Sequence, residues 1–238
     1  MRRAFPLALP LALTVVLAAA AVPAWSAGTG PSSGSSSMPS MPEREQTPEE
    51  RGKIAFNAGV RAVKKADKYA EKAESTADEK KKSKATKEAT EDYTDARGKF
   101  LQAVQYVPMM PEAWNYLGYT LRKTGDYDNA LKAYDHALLL KPSFPEAIEY
   151  RAEAYLRLKR FDDAKQAYLD LFAGDRKLAD KLLGSMKSWL DTQHSAGASA
   201  SGTEAGGVEE FSKWVQERSQ IAGQTAALTR EGAGASWR

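Results

Sequence analysis

The sequence of 238 residues predicts an all-α fold of stacked antiparallel helical hairpins, and two observations carry this prediction. First, between Pro111 and Pro145 two stripes of apolar side chains at helical spacing flank a short break at residues 124–126. Second, the same scheme recurs 34 residues further along the chain. Two helices joined by so short a loop must lie antiparallel, and a repeat of this period is typical of hairpins that stack on one another.

Small and aromatic residues define the packing positions of each hairpin. Gly118 lets two helix backbones approach closely, and the second helix of the unit ends before a proline, which has no amide hydrogen to continue it. This pattern resembles the tetratricopeptide repeat family, whose signature is filled by Trp114, Leu117, Gly118, Leu121, Ala130, Tyr134 and Pro142. In the following unit Ala164 and Tyr168 take the places of Ala130 and Tyr134. The resemblance implies a solenoid of this repeat type.

The start of the chain has the features of a secretory signal peptide over residues 1–27. Arg2 and Arg3 form a basic start, and residues 7–22 are an apolar run, short for a membrane span of about 20 residues. The alternative is an uncleaved membrane anchor. Residues 28–46 are rich in Gly, Ser, Pro and Met, which predicts a disordered linker. A bacterial protein with these features is expected to be periplasmic or secreted.

The repeat domain is predicted over residues 47–190, and its first repeat, residues 47–110, is elongated. Residues 47–50 carry a threonine cap, a proline and a glutamate in the order that begins a helix. Residues 93–108 align with the second helix of the next repeat, but about 25 extra residues separate the two halves. A loop of that length is unusual inside a hairpin. We therefore expect both helices to be longer by about three turns and to protrude.

The tip of this hairpin is expected near residues 74–83, and it is rich in lysine. The lysines are Lys80, Lys81, Lys82, Lys84 and Lys87. A basic tip could contact anionic lipid or an acidic partner. The alternative, which we favour, is a solvated tip, because glutamate and aspartate residues lie close by in the sequence.

The rest of the chain completes and closes the stack. Repeat 2 covers residues 111–144, repeat 3 covers 145–174, and a capping helix at 175–190 would shield the last apolar face. A flexible linker is predicted at 191–207, an amphipathic helix at 208–230 and a tail at 231–238. The amphipathic helix could fold back on the stack, dimerise or bind a partner. We favour folding back.

Little in the sequence indicates catalysis. There is no cysteine, and His136 and His194 are the two histidines, so thiolate chemistry and most metal sites are excluded. The paired acids at residues 126–128 and 162–163 fall at the starts of second helices, where they stabilise the positive end of the helix dipole. No glycine-rich phosphate loop is present. We expect no catalytic, cofactor or metal site.

We also expect no binding of nucleic acid, because the net charge of +3 falls to +1 without Arg2 and Arg3.

The resemblance implies a binding surface. In the tetratricopeptide repeat family the first helix of each hairpin lines a concave groove that binds peptides or proteins. The candidate groove residues are Asn115, Tyr119, Arg122, Glu146, Glu149, Glu153, Phe56 and Val60. Such a groove would run from an apolar end to an acidic end, and would suit a partner with an apolar anchor followed by Lys or Arg. The alternative is that Phe56 and Val60 are covered, which leaves no open groove.

The expected function is a non-enzymatic module for protein–protein interaction or scaffolding in the bacterial cell envelope. Its partner would be a protein or peptide that the sequence does not identify. Membrane contact is expected only through an uncleaved signal or the lysine-rich tip. The alternative function is a self-assembling structural envelope protein, which would form homo-oligomers through its C-terminal helix.

Overall fold

A computed structural model describes residues 44–195 and 203–234 of the chain, and the described residues form eight α-helices and no strand. In chain order they are α1 (Pro48–Ser75), α2 (Glu79–Tyr106), α3 (Pro111–Lys123), α4 (Tyr127–Leu140), α5 (Pro145–Arg157), α6 (Phe161–Gly174), α7 (Arg176–Ser195) and α8 (Thr203–Gly234). The predicted all-α fold of stacked hairpins is confirmed. The predicted signal peptide and most of the linker that follows it lie outside the described residues. None of the described helices is long and apolar enough to cross a membrane.

The first hairpin is elongated. Helices α1 and α2 have 28 residues each, against 13 in α3 and 14 in α4. The difference is about four helical turns, slightly more than the predicted three. Thr47 and Glu50 begin α1 with a reciprocal capping box, and Asp78 caps α2 directly after the turn at the tip. Ala66 and Ala89 are buried in the projecting part, so that the two backbones can lie close together.

The next two hairpins, α3–α4 and α5–α6, follow one plan. Proline is the first residue of α3 and of α5, where its missing N–H has no cost. The turn inside each hairpin needs a left-handed backbone, which is supplied by Gly125 (φ 87°) and, 34 residues later, by Lys159 (φ 55°). Gly118 faces the ring of the fully buried Tyr134 across the α3–α4 contact.

Replacing Gly118 by Ala is expected to lower the free energy of unfolding by about 1–3 kcal/mol, the usual range for overpacking a core. A Cβ atom at Gly118 would lie 2.6 Å from Cε1 of Tyr134, and that ring is enclosed on all sides. The matched control is Gly98→Ala in α2, where a Cβ would meet no atom within 4 Å. The control should raise stability by about 0.5–1 kcal/mol through helix propensity. Denaturant unfolding of both variants measures the difference, and equal effects would contradict the close packing at Gly118.

Helix α7 lies across the end of the stack and buries an apolar stripe. Its buried residues are Ala179, Leu182, Leu183, Met186, Trp189 and Leu190. Asp175 caps the helix by accepting a hydrogen bond from the backbone N–H of Leu178, at 3.0 Å. Helix α7 continues to Ser195, five residues beyond the predicted end of the capping helix, because its amphipathic pattern runs on without a breaker.

Helix α8 folds back onto α6 and α7. Phe211 is fully buried, and its ring stacks on Phe161 of α6 at 4.6 Å and meets Trp189 of α7 edge-on. Trp214 contacts Tyr168 edge-on, one turn further along α8 and two turns further along α6. The helix spans Thr203–Gly234, so it is longer than the predicted 208–230. The predicted linker at 191–207 was wrong at both ends, because α7 occupies its first five positions and α8 its last five.

Candidate functional site

An open cavity of about 490 Å³ lies where the C-terminal parts of α3 and α5 meet α7. Its charged and hydroxyl-bearing lining includes Arg122, Lys123, Glu153, Arg157, Lys181 and Ser185. These side chains come from three helices whose first residues are 31 to 65 positions apart in sequence, so stacking of the repeats creates the site. Among the described residues, no group of three or more His, Asp or Glu side chains is placed to hold a metal ion.

Glu153 ties three helices together at the floor of the cavity. Its Oε2 lies 2.6 Å from Nη1 of Arg122 on α3, and its Oε1 accepts a hydrogen bond of 2.8 Å from the hydroxyl of Ser185 on α7. The side chains of Arg122 and Glu153 are mostly buried, at 13% and 20% exposed. An ion pair at this depth is weakly screened by solvent. Both carboxylate oxygens of Glu153 have partners within the protein, Arg122 and Ser185.

Glu149 is a core residue, and this corrects its predicted role in an acidic groove. The side chain is 0% exposed, and its Oε2 accepts a hydrogen bond of 3.0 Å from Nζ of Lys181 on α7. Burial raises the pKa of Glu149, and the charge of Glu153 adds to this effect, while Lys181 opposes it. The prediction failed because α7 covers the face of α5 that the sequence suggested was open.

Two tyrosines from neighbouring hairpins share one carboxylate. The hydroxyls of Tyr93 on α2 and Tyr119 on α3 both donate to Oδ1 of Asp67 on α1, at 2.6 and 2.7 Å. Burial raises the pKa of both tyrosines, and Asp67 adds to the shift as hydrogen-bond acceptor. Tyr119 also packs on Tyr150 of α5 at 5.1 Å, and burial raises the pKa of Tyr150 to about 12. The elongated hairpin is therefore joined to the stack by the contacts of Asp67 with Tyr119 and of Tyr119 with Tyr150.

Three cationic side chains lie over the rings of Tyr119 and Tyr150. Arg122 is 5.3 Å from the ring centre of Tyr119 and 5.6 Å from that of Tyr150. Lys123 lies over Tyr119 at 5.8 Å, and Lys181 lies over Tyr150 at 5.2 Å. Desolvation, and then the positive charge of Arg122, lower the pKa of Lys123. Aromatic rings under cations in a partly desolvated site hold them in place.

The predicted groove residues are divided between the cavity, the core and the surface. Tyr119, Arg122 and Glu153 lie at or beside the cavity, whereas Asn115 is only 4% exposed. Glu146 is exposed on the first turn of α5 and does not line the cavity.

The apolar end of the predicted groove is also covered. Phe56 is half-buried, and its ring makes edge-on contacts with Phe100 at 5.9 Å and Tyr116 at 5.7 Å. Val60 is half-buried and packs against the same core. The apolar end is therefore part of the contact between the first and second hairpins.

The predicted packing residues mostly lie in the core. The buried ones are Leu117, Gly118, Leu121, Ala130, Tyr134, Ala164 and Tyr168. Trp114 is half-buried, stacks on His136 at 4.5 Å and donates from Nε1 to the backbone oxygen of Pro108. Pro142 is exposed in the loop between α4 and α5.

Several cavity residues were not identified from the sequence. Lys123, Lys181 and Ser185 were not singled out as binding residues, and Asp67 lies in the inserted part of the first hairpin. Lys123 could have been found, because it follows Arg122 at the end of a predicted groove helix. Nothing local marks Asp67, since its partners are 26 and 52 residues away.

Comparison with known proteins agrees with the repeat pattern. Residues 111–144 match the tetratricopeptide repeat family. Among solved structures, the TPR2B domain of yeast Sti1, in a pHsp70 complex, is similar, with 11% identity and a TM-score of 0.37. That match covers 71% of this chain and 98% of the Sti1 chain. No curated protein matches this sequence. Residues 111–144 therefore form a tetratricopeptide repeat, set within an all-α stack of helical hairpins.

Proposed function

We propose that this protein is a non-enzymatic module for protein–protein interaction or scaffolding, and that it binds its partner in the cavity between α3, α5 and α7. The observation that carries the proposal is an open cavity of about 490 Å³ whose polar side chains are fixed from three helices. The contacts of Glu153, Tyr119 and Tyr150 hold these side chains in place before a partner arrives. A site that is ordered in advance loses less entropy on binding.

The proposed location is the bacterial cell envelope. It rests on the basic start at Arg2 and Arg3 and on the apolar run at residues 7–22, which have the features of an export signal. There the module would bring envelope proteins together or hold secreted chains. Fractionation of cells that express the full chain would test the location, because retention in the cytoplasm with residues 1–27 intact would contradict it.

Site-directed photocrosslinking tests the binding site. A crosslinking amino acid at Ser188, which lines the cavity, should capture one partner, whereas the same amino acid at Thr94 on the exposed side of α2 should not. Adding Arg157→Glu to the Ser188 probe should change the yield of capture, because Arg157 lines the same cavity. Equal capture from both positions, or a yield that Arg157→Glu leaves unchanged, would contradict the proposal.

Self-assembly through the C-terminal helix is the alternative function. Phe211 and Val215, the apolar residues such an interface would use, are 0% and 2% exposed because they pack within the chain. Association through them would require α8 to detach. Light scattering of the full chain over a range of concentrations distinguishes the two functions: a constant monomer mass contradicts self-assembly, and a rising mass supports it.

A further inference from the structure

A second cavity extends the site towards the elongated hairpin. It measures about 250 Å³ and is lined by Lys82, Thr86, Thr90 and Tyr93 of α2 and by Lys123 at the end of α3. Two alanines and Glu74 of α1 complete its wall. Lys123 lines both cavities, so they meet at this side chain, and the two together are called the track. The extra turns of α1 and α2 build half of this track.

Two cations of the first cavity have no ion-pair partner among the described residues. Glu153 is paired with Arg122, and the carboxylate of Glu149 beneath the cavity is paired with Lys181. Within residues 44–195 and 203–234, no carboxylate lies within ion-pairing distance of Lys123 or Arg157. Asp67 accepts hydrogen bonds from two tyrosine hydroxyls. Asp67 and Glu74 are close enough to Lys123 for their negative charges to act on it, so Lys123 is partly compensated.

At the hairpin end of the track the charges are more evenly balanced. Lys82 lies 3.8 Å from Glu79 in an exposed pair, which holds the lysine only weakly. Glu74 is the carboxylate on this part of the wall. The uncompensated positive charge is therefore concentrated in the first cavity, at Arg157 more than at Lys123.

We infer that the two cavities form one binding track for an extended acidic segment of a partner protein. This inference rests on the proposed function and names the chemical class of its partner. It reverses the charge expected from the sequence, because the two glutamates that would have attracted a basic partner are already paired inside the protein. Carboxylates of an extended segment would contact Arg157 and Lys123 in the first cavity and Lys82 in the second. Complementary charge would set specificity and the rate of association.

Fluorescence anisotropy with defined peptides tests this inference. The probes are fluorescein-labelled Glu–Ser peptides of about ten and about five residues, which span at most about 35 and 18 Å. The controls are a ten-residue Lys–Ser peptide and a single-stranded oligonucleotide of similar charge. Both acidic peptides should bind, the longer one more tightly. The Lys–Ser peptide should not bind, and the oligonucleotide should bind at least tenfold more weakly.

Charge reversals locate the bound peptide. Arg157→Glu should weaken binding of both acidic peptides at least tenfold, whereas Lys82→Glu should weaken only the longer one. Lys132→Glu on the exposed side of α4 makes the same change in net charge away from the track and should change affinity less than twofold. Circular dichroism should show the same helix content in all three variants.

Four outcomes would overturn the inference. They are no detectable binding of the acidic peptides, equal binding of the basic peptide, equal binding of the oligonucleotide, and equal losses in Lys132→Glu and Arg157→Glu. The proposed function can survive such a failure. If the probe at Ser188 captures a partner through a basic or neutral segment, the cavity is a protein-binding site but the acidic class is wrong.

Discussion

Glu149→Lys is expected to lower the free energy of unfolding by about 3–5 kcal/mol, the usual cost of breaking a buried ion pair. The substituted side chain would place a second cation beside Lys181 and close to Arg122, in a position that is 0% exposed. The orphaned Lys181 is itself half-exposed and can turn to solvent, so most of the loss comes from the new buried charge. Denaturant unfolding followed by circular dichroism measures it.

Glu146→Lys is the matched control, because it makes the same substitution one turn earlier on α5 at an exposed position. It should change stability by no more than about 0.5 kcal/mol. If the two variants were equally stable, Glu149 would be accessible to solvent and the docking of α7 on α5 would be wrong. The comparison also affects binding experiments, since loss of partner capture by Glu149→Lys would report unfolding and not a lost contact.

Phe211→Ala is expected to cost about 3–5 kcal/mol, the range for removing a buried aromatic side chain. Phe211 fills the contact between α6, α7 and α8, where its ring stacks on Phe161 and meets Trp189. Without it, α8 should detach and leave Phe161 and Trp189 exposed to water. Amide hydrogen exchange should show the loss first in α8, because this helix is joined to the rest of the protein mainly through that contact.

The control is Gln216→Ala on the exposed side of α8, which should leave exchange rates and stability nearly unchanged. Equal exchange rates in the Phe211 and Gln216 variants would show that α8 is not docked in solution. Phe211→Ala should also increase the mass measured by light scattering, because it uncovers apolar surface. If the mass of the intact chain rises with concentration but that of the variant does not, Phe211 mediates self-association.

The sequence predicted well those features that depend on neighbouring residues. The 34-residue recurrence marked the hairpins α3–α4 and α5–α6, because helical spacing and the small residues at Gly118 and Ala130 are local signals. The same recurrence, interrupted by extra residues, predicted the long first hairpin, since a helix-forming insert can only lengthen both arms. The capping role of residues after Asp175 followed from an apolar stripe of four- and three-residue spacing.

The binding surface could not be predicted in the same way. Whether Glu149 and Glu153 face solvent or the core depends on where α7 lies, and their partners Lys181 and Arg122 are about 30 residues away in sequence. The apolar stripe of α7 indicated that this helix would pack against the stack of hairpins. The stripe does not indicate which face of the stack the helix covers.

The all-α fold, its repeat period and the elongation of the first hairpin follow from the amino-acid sequence alone, because backbone hydrogen bonding and side-chain periodicity act within a few residues. The partners of the two groove glutamates depend on the tertiary structure. Ion pairs form between side chains that the stacking of hairpins brings within about 3 Å, so Glu153 pairs with Arg122 and Glu149 with Lys181, while Arg157 has no ion-pair partner among the described residues.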